Sequence, residues 1–316
     1  MDPTSSPSTA TAPILVTGAH RTGTTWVGKM LASGGETAYI SEPLNIWHRP
    51  GVLISPTRYW YTYLCKENEG EYLPGLLQTV KFRYHTLAEL RSLHSFKDVG
   101  RMARDWRIFQ SGGIFHKRPL LKDPFAVFSA PWFSERLGCQ VVITVRHPGA
   151  FASSLKRLDW PFDLRDLLSQ PLLMRDWLEP FRSEMEEIAR NPEDIIGQSC
   201  LLWRMVYQIV EGFKKEYPQF QIVRHEDLSL APIDGYRSLY TALGLNFTPQ
   251  AESAIHSSSS SENPVELSKR AVHSVRLDSQ ANLHNWKRRL SPSEIARIRE
   301  LTEEVAARYY PDLNWD

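Results

Sequence analysis

The sequence predicts an α/β fold in which a parallel sheet is flanked by helices. Three features predict it: short apolar runs recur along the chain, polar residues close each run, and helical periodicity fills the stretches between. The first run, Ile14-Leu15-Val16-Thr17, is partly β-branched and ends at Gly18, as a buried strand does. Gly18-Ala19-His20-Arg21-Thr22-Gly23 follows as a turn. From Thr24 the spacing becomes helical, with Trp26, Val27, Met30 and Leu31 on one face until Gly34-Gly35. A second strand, Thr37 to Ile40, runs into Ser41-Glu42-Pro43, and Leu120-Leu121 forms a short strand before Lys122-Asp123-Pro124. Val141 to Val145 is the clearest core strand and ends at Arg146-His147-Pro148. Phe220 to Val223 leads into Arg224-His225-Glu226-Asp227, and Cys200 to Lys214 is helical, with Leu201, Leu202, Met205, Ile209 and Phe213 apolar. Strands alternating with helices make a parallel sheet covered on both faces. Ligands of such sheets sit beyond the carboxyl ends of the strands, where these polar residues stand.

Composition narrows the function. The 316 residues are 42% hydrophobic, enough for a real core. With 37 basic and 36 acidic side chains the net charge is +1, so no global field draws the chain to nucleic acid or membrane. Anion binding must come from local clusters. Cys65, Cys139 and Cys200 are far apart, imply neither zinc nor a disulfide framework, and suit a reducing compartment. No metal is implied. Residues 1–12, rich in Ser, Thr, Pro and Ala, read as a disordered tail without the basic start and apolar stretch of a signal peptide. No run of about 18 apolar residues occurs, so no transmembrane segment is expected and the location expected is cytoplasmic. Residues 13–316 read as one domain. Within it, 44–117 shows no sheet pattern; it is aromatic and basic, and reads as a helical insertion on the acceptor side. Ser257 to Ser261 reads as a polar loop.

Gly18 and Gly23 form the Gly-x-x-x-x-Gly skeleton of a phosphate loop. In an NTPase the next two residues would be Lys and then Ser or Thr; here they are Thr24 and Thr25. The lysine that reaches the β- and γ-phosphates is missing, which weighs against ATP or GTP hydrolysis. Backbone N–H groups at Gly23 to Thr25, at a helix N-terminus, still make an anion site, with two hydroxyls and Arg21 beside them. Taken alone, the glycines fit a ligand-free strand–helix turn equally well.

Arg21-Thr22-Gly23-Thr24-Thr25-Trp26 resembles the 5′-phosphosulfate loop of the sulfotransferases that use 3′-phosphoadenosine 5′-phosphosulfate (PAPS). Arg146 closing a strand, with Ser154 eight residues on, resembles the same family's 3′-phosphate motif. Ser41-Glu42-Pro43-Leu44, Lys122-Asp123-Pro124-Phe125-Ala126, Arg224-His225-Glu226-Asp227-Leu228 and Asn285-Trp286-Lys287-Arg288-Arg289-Leu290-Ser291 are similar to its glycan and tyrosylprotein branches. The resemblance covers roughly 13–45 and 117–312 and fails across the insertion. It implies a P-loop NTPase-like three-layer sandwich that moves a sulfuryl group from PAPS to an acceptor hydroxyl, leaving adenosine 3′,5′-bisphosphate (PAP).

The resemblance also implies roles. Glu42 stands where the tyrosylprotein branch places its catalytic glutamate; read alone, it is a solvated carboxylate before a proline. Lys122 and Arg21 are the cations around the transferring group, and Asp123 is the reserve base or a loop-orienting carboxylate. Arg21, Thr22, Gly23, Thr24 and Thr25 hold the 5′ side of the nucleotide. Arg146 and Ser154 hold the 3′-phosphate, with Arg276 as a C-terminal cation and Lys156 or Arg157 as its alternatives. His20, His116 and His147 read as hydrogen-bonded or exposed histidines, and Glu226-Asp227 as caps of a turn. The aromatic, basic insertion suits a carbohydrate or glycolipid acceptor. A P-loop small-molecule kinase and a non-catalytic nucleotide-binding protein of the same fold remain alternatives.

Overall fold

The computed structural model describes residues 12–47, 49–266, 275–311 and 315. Most of the expected tail, residues 1–11, lies outside the described residues. Ala12, its last residue, is buried, and its carbonyl accepts from the Arg118 guanidinium.

Five strands form one parallel sheet: β1 Ile14–Gly18, β2 Thr37–Ser41, β3 Arg118–Lys122, β4 Gln140–Val145 and β5 Gln221–Arg224, in the order β2-β3-β1-β4-β5. The central strand, β1, pairs Leu15 with Leu121 on one side and with Val141 on the other. β3 is longer than its apolar pair suggests. It begins at Arg118, whose guanidinium is buried by donating to the carbonyls of Ala12 and Leu243 and to Gln140.

Alternation along the strands separates two cores. Ile14, Val16, Leu120 and Val142 face helix α1, Thr24–Ala32, through Trp26, Val27, Met30 and Leu31. Leu15, Leu121, Val141, Ile143 and Val145 face the other way, toward α5 (Ala130–Leu137) and the helix Ile195–Glu216. The sheet is therefore covered on both faces, and each large apolar side chain fully buried there contributes about 1.5–3 kcal/mol. Before α5, segment 44–117 supplies α2 (Glu69–Val80), α3 (Thr86–Arg91) and α4 (Phe96–Ile114). On α4, Asp105 pairs at 3.0 Å with Arg49, which also donates to the Ser41 carbonyl and so ties this helix to the end of β2.

The expected serine loop is a correction. Ser257, Ser258 and Ser259 end a helix, Pro249–Ser259, that starts at a Thr248 cap and a first-turn proline. Ser258 is buried because its hydroxyl donates to the Ile255 carbonyl and accepts from the Trp26 indole at 2.9 Å, partners 3 and 232 residues away. Among the described residues, no helix is long and apolar enough to cross a membrane.

Candidate active site

The loop between β1 and α1 is held from below. The Thr22 hydroxyl lies 2.5 Å from the Ala19 carbonyl and 2.8 Å from the Thr144 hydroxyl, and its N–H also donates to Ala19. Thr22 therefore shapes the loop rather than facing its cradle. Tyr207 supports the same turn, accepting from the Ala19 amide and donating to the Thr144 carbonyl at 2.8 Å. Gly23 opens α1 at φ 99°, in the left-handed region, and a Cβ there would sit 2.7 Å from His225 Nδ1. Gly23, the N-cap residue, has no side chain with which to cap the helix N-terminus.

Arg21 and Arg146 bring two distant stretches together. Arg21 Nε donates to the Ser154 hydroxyl at 3.2 Å, and Arg146 Nη1 donates to the Arg21 carbonyl at 3.2 Å. Ser154 reaches this point because α6, Pro148–Leu158, starts directly after Arg146 and turns Ser154 inward. Burial, then the charges of Arg146 and Arg157, lowers the Arg21 guanidinium to about 10. Burial also lowers Arg146; Glu226 opposes this, and Arg289 and Arg157 add to it. Arg146 Nε is buried with no hydrogen-bond partner among the described residues. Such an orphan donor costs about 1–3 kcal/mol until an acceptor reaches it.

Arg21 and Arg146 line an open cleft of ≈ 710 Å³, solvent included, together with Gly23, Thr24, Thr25 and Trp26, and Ser154 braces it from behind through Arg21. Its far wall is His225, Ser229, Ser258, Val275, Leu277, Ser279 and Asn282. A polyanion fits this wall chemically: open backbone amides, arginines that repel one another, and hydroxyls.

Glu42 and Lys122 lie side by side at the ends of β2 and β3, which pair at Ser41 and Lys122. Lys122 is buried and forms an ion pair with Glu42, whose other oxygen accepts from Asn45 at 2.7 Å. Glu42 is 24% exposed at its side chain and has φ 49°, a left-handed backbone that turns it out of the strand. Burial pushes its carboxyl up, but the Lys122 charge and the Lys122 and Asn45 hydrogen bonds prevail and hold it below the usual carboxylate range. Asp123 behaves oppositely. It is buried, accepts from the amides of Leu44 (2.6 Å) and Phe125 (3.0 Å), and burial raises it to about 7. Both its oxygens are thus engaged in shaping the loops after β2 and β3.

The remaining expected residues divide. Arg276 is exposed, and the cleft wall at that point is made by its neighbours Val275 and Leu277. Lys156 points away, paired with Glu294 at 2.6 Å. Arg157 and Arg289 share Glu266, at 3.5 and 3.0 Å, and their charges reach Arg146. Glu226 is a correction: it does not cap a turn but accepts from the His147 amide at 3.0 Å and from the Tyr310 hydroxyl at 2.8 Å. His20 bonds to the Tyr61 hydroxyl at 2.7 Å and is lowered to about 4 by burial and Arg21. His147 caps α6 through Nδ1, and burial lowers it to about 3. His116 is exposed. The hydroxyls of Ser229, Ser258 and Ser279 carry no sequence signal, because each meets the cleft from a distant segment. His225 and Arg289 lie in family-like motifs, which do not show that His225 lines the cleft or that the Arg289 charge reaches Arg146.

No family model matches the chain. Human carbohydrate sulfotransferase 5 is 34% identical over 192 residues, which cover 58% of this chain and 40% of that protein. The match therefore spans less than half the length of this curated relative. Among solved structures, the sulfotransferase domain of the Synechococcus PCC 7002 olefin synthase is 15% identical, covers 96% of each chain and has a TM-score of 0.49. Mouse sulfotransferase SULT7A1, solved in complex with PAP, is 12% identical, covers 95% of this chain and 84% of its own, and has a TM-score of 0.41. The relatives found are sulfotransferases, the family that the loop and the Arg146–Ser154 motif resemble.

Proposed function

We propose that this protein transfers the sulfuryl group of PAPS to an acceptor hydroxyl, with Glu42 as general base. One observation carries the reading. The phosphate loop and the Arg146–Ser154 motif, separate in the sequence, meet in one cleft through Arg21 to Ser154 and Arg146 to the Arg21 carbonyl. The donor has anionic groups at its 5′ and 3′ positions, and this cleft offers two cationic ends joined by a hydrogen-bonded seam. The open N–H groups of α1 and the Thr24 and Thr25 hydroxyls suit the 5′ side. The orphan Arg146 Nε suits a phosphate at the 3′ side, since guanidinium binds such oxygens as a fork.

In the transfer, the acceptor oxygen bonds to sulfur as the bond from sulfur to the nucleotide's phosphate oxygen breaks. The acceptor proton passes to the Glu42 carboxylate, which is ionised and available at neutral pH. Lys122 and Arg21 offset the charge that grows on the leaving oxygen, the kind of electrostatic positioning on which such transfers depend. The curated relative acts by name on carbohydrate. With the exposed Trp47 five residues beyond Glu42, this supports a carbohydrate or glycolipid hydroxyl as acceptor. Three free thiols, two of them buried, suit the reducing cytoplasm.

Calorimetric titration of PAPS, PAP, AMP and ATP against wild type and Arg146→Ala tests the donor. Tight binding of the two 3′-phosphorylated nucleotides, lost in Arg146→Ala, is expected. Preference for ATP with Mg²⁺, or indifference to the 3′-phosphate, would overturn the assignment in favour of a kinase.

A further inference from the structure

Helix α4 presents an apolar stripe to solvent. Its inward side buries Asp105, Phe109 and Gly112. On its outward side Phe96, Val99, Trp106 and Ile114 are exposed, Phe96 by 97% and Ile114 by 66%. With the exposed Ala103 and Gln110 they occupy positions 96, 99, 103, 106, 110 and 114, the three-and-four spacing of a single helical face. Leu87 on α3 and Phe115 after α4 add exposed apolar surface, at 72% and 70%. A contiguous apolar strip of this kind marks a surface that something covers.

Charge identifies what covers it. Lys97 and Arg107 are exposed on the same helix, and Arg104, also exposed, is paired with Asp105 at 2.9 Å. From residue 81 to 117 the chain holds eight Lys and Arg but only Glu89, Asp98 and Asp105 as acids, although the whole chain carries +1. Glu89 and Asp105 are buried, and Asp98 is paired with Arg101 at 2.8 Å. The outward face is therefore apolar and cationic together. Aromatic and aliphatic side chains bordered by Lys and Arg complement one surface in particular: anionic headgroups lying over an acyl layer.

We propose that α4 docks this protein on an anionic lipid bilayer, its apolar stripe seated at the headgroup–acyl boundary. Through Asp105, Arg49 and the Ser41 carbonyl the same helix is fixed to the end of β2, one residue before Glu42. Docking thus holds the end of β2 behind α4, within about a helix diameter of the lipid surface. This part rests on the sulfotransferase reading and narrows its acceptor to a hydroxyl on a lipid-anchored glycan.

The test is co-sedimentation of the full chain with vesicles of phosphatidylcholine alone or mixed equally with phosphatidylglycerol. Wild type is expected to sediment with the mixed vesicles only, and less as salt rises. Lys97→Glu/Arg107→Glu and Phe96→Ser/Trp106→Ser should each weaken partitioning about tenfold or more. Phe96→Ser alone, at an almost fully exposed position, serves if the double variant folds poorly, and circular dichroism checks each. Failure of wild type to bind mixed vesicles, or binding unchanged in both double variants, would sink the proposal. So would a wild-type dimer in light scattering that Phe96→Ser/Trp106→Ser dissolves while vesicles are ignored, since a second copy would then cover the stripe. PAP calorimetry on the same samples separates the two ideas: intact PAP binding without vesicle binding overturns docking alone, and vesicle binding without PAP binding overturns the sulfotransferase reading alone.

Discussion

Two regions of this molecule concentrate arginine, and they treat its charge in opposite ways. At the cleft, burial lowers Arg21 and Arg146, and neighbouring cations add to it: Arg146 and Arg157 act on Arg21, and Arg289 and Arg157 on Arg146. Arg157 is itself lowered by burial and Arg289. Glu226 and Glu266 oppose them only in part. On α4, Arg107 stands in water beside Lys97, where charge is screened within about 8–10 Å, and Arg104 is paired with Asp105. A crowded, half-buried cluster is a strained state that a bound polyanion relieves, so it selects its ligand by shape and by phosphate position. A solvated row relieves nothing and responds to the average charge of whatever surface approaches. Arginine is therefore crowded and half-buried in one place and solvated in the other.

The comparison can be broken at its reacting edge first. Glu42→Gln should lower turnover of PAPS with an acceptor by about 10²–10⁴-fold, with PAP affinity nearly unchanged. Unchanged turnover would remove Glu42 from the chemistry. The pH profile sharpens this. Glu42 is held low, so the acid limb of kcat/KM should lie below the usual carboxylate range. A limb near pH 7 would instead point to Asp123, which burial raises to about 7. The same shift has a stability sign: ionised Glu42 adds stability above the ordinary glutamate range, and this is lost as pH falls through its folded value. Glu42→Gln should therefore flatten acid unfolding.

Arg146→Ala is next in size, with PAP binding about 100-fold weaker by calorimetry, as expected when a half-buried charged partner is removed. Arg146→Lys should restore only part of this, because an ammonium cannot fork onto a phosphate. Gly23→Ala should cost about 1–3 kcal/mol in denaturant unfolding, from the left-handed φ and the contact with His225. Adding His225→Ala should return the contact portion and leave the backbone portion. The smallest effect is expected outside the cleft: Lys97→Glu/Arg107→Glu should change PAP affinity by less than about twofold at physiological salt. A larger change there would mean that the two regions share one field and that the contrast between them fails.

Local signals are legible in the sequence and long-range ones are not. Each strand carries its own apolar run, and Gly18 to Thr25 carries the loop, so the parallel sheet and its first strand–loop–helix turn follow from neighbouring residues alone. The single spacing of eight from Arg146 to Ser154 is enough because one helix, α6, spans it. Thr22 has the look of a ligand contact, yet its hydroxyl closes the loop against Thr144, a partner 122 residues away. Glu226 has the look of a cap for the same reason: nothing nearby announces His147 or Tyr310. Arg276 rests on a loose spacing, and the side chains that reach the cleft there are its two neighbours. In segment 44–117 the helical repeat of α4 shows apolar positions, but only packing against β2 shows that Asp105 lies inside and Trp106 outside.

The bond from the Tyr310 hydroxyl to Glu226 has a consequence for synthesis. Among the described residues, Glu226 is the carboxylate whose charge supports Arg146, and its second oxygen is held by a residue 84 positions further on. A growing chain can lay down all five strands and close the phosphate loop while this latch is still inside the ribosome. Until Tyr310 emerges, Glu226 is held through one oxygen only, by the His147 amide, and the arginine cluster lacks its fully fixed counterweight. The cleft is thus completed late, so a nascent chain stalled before Tyr310 should display the sheet without the finished cleft.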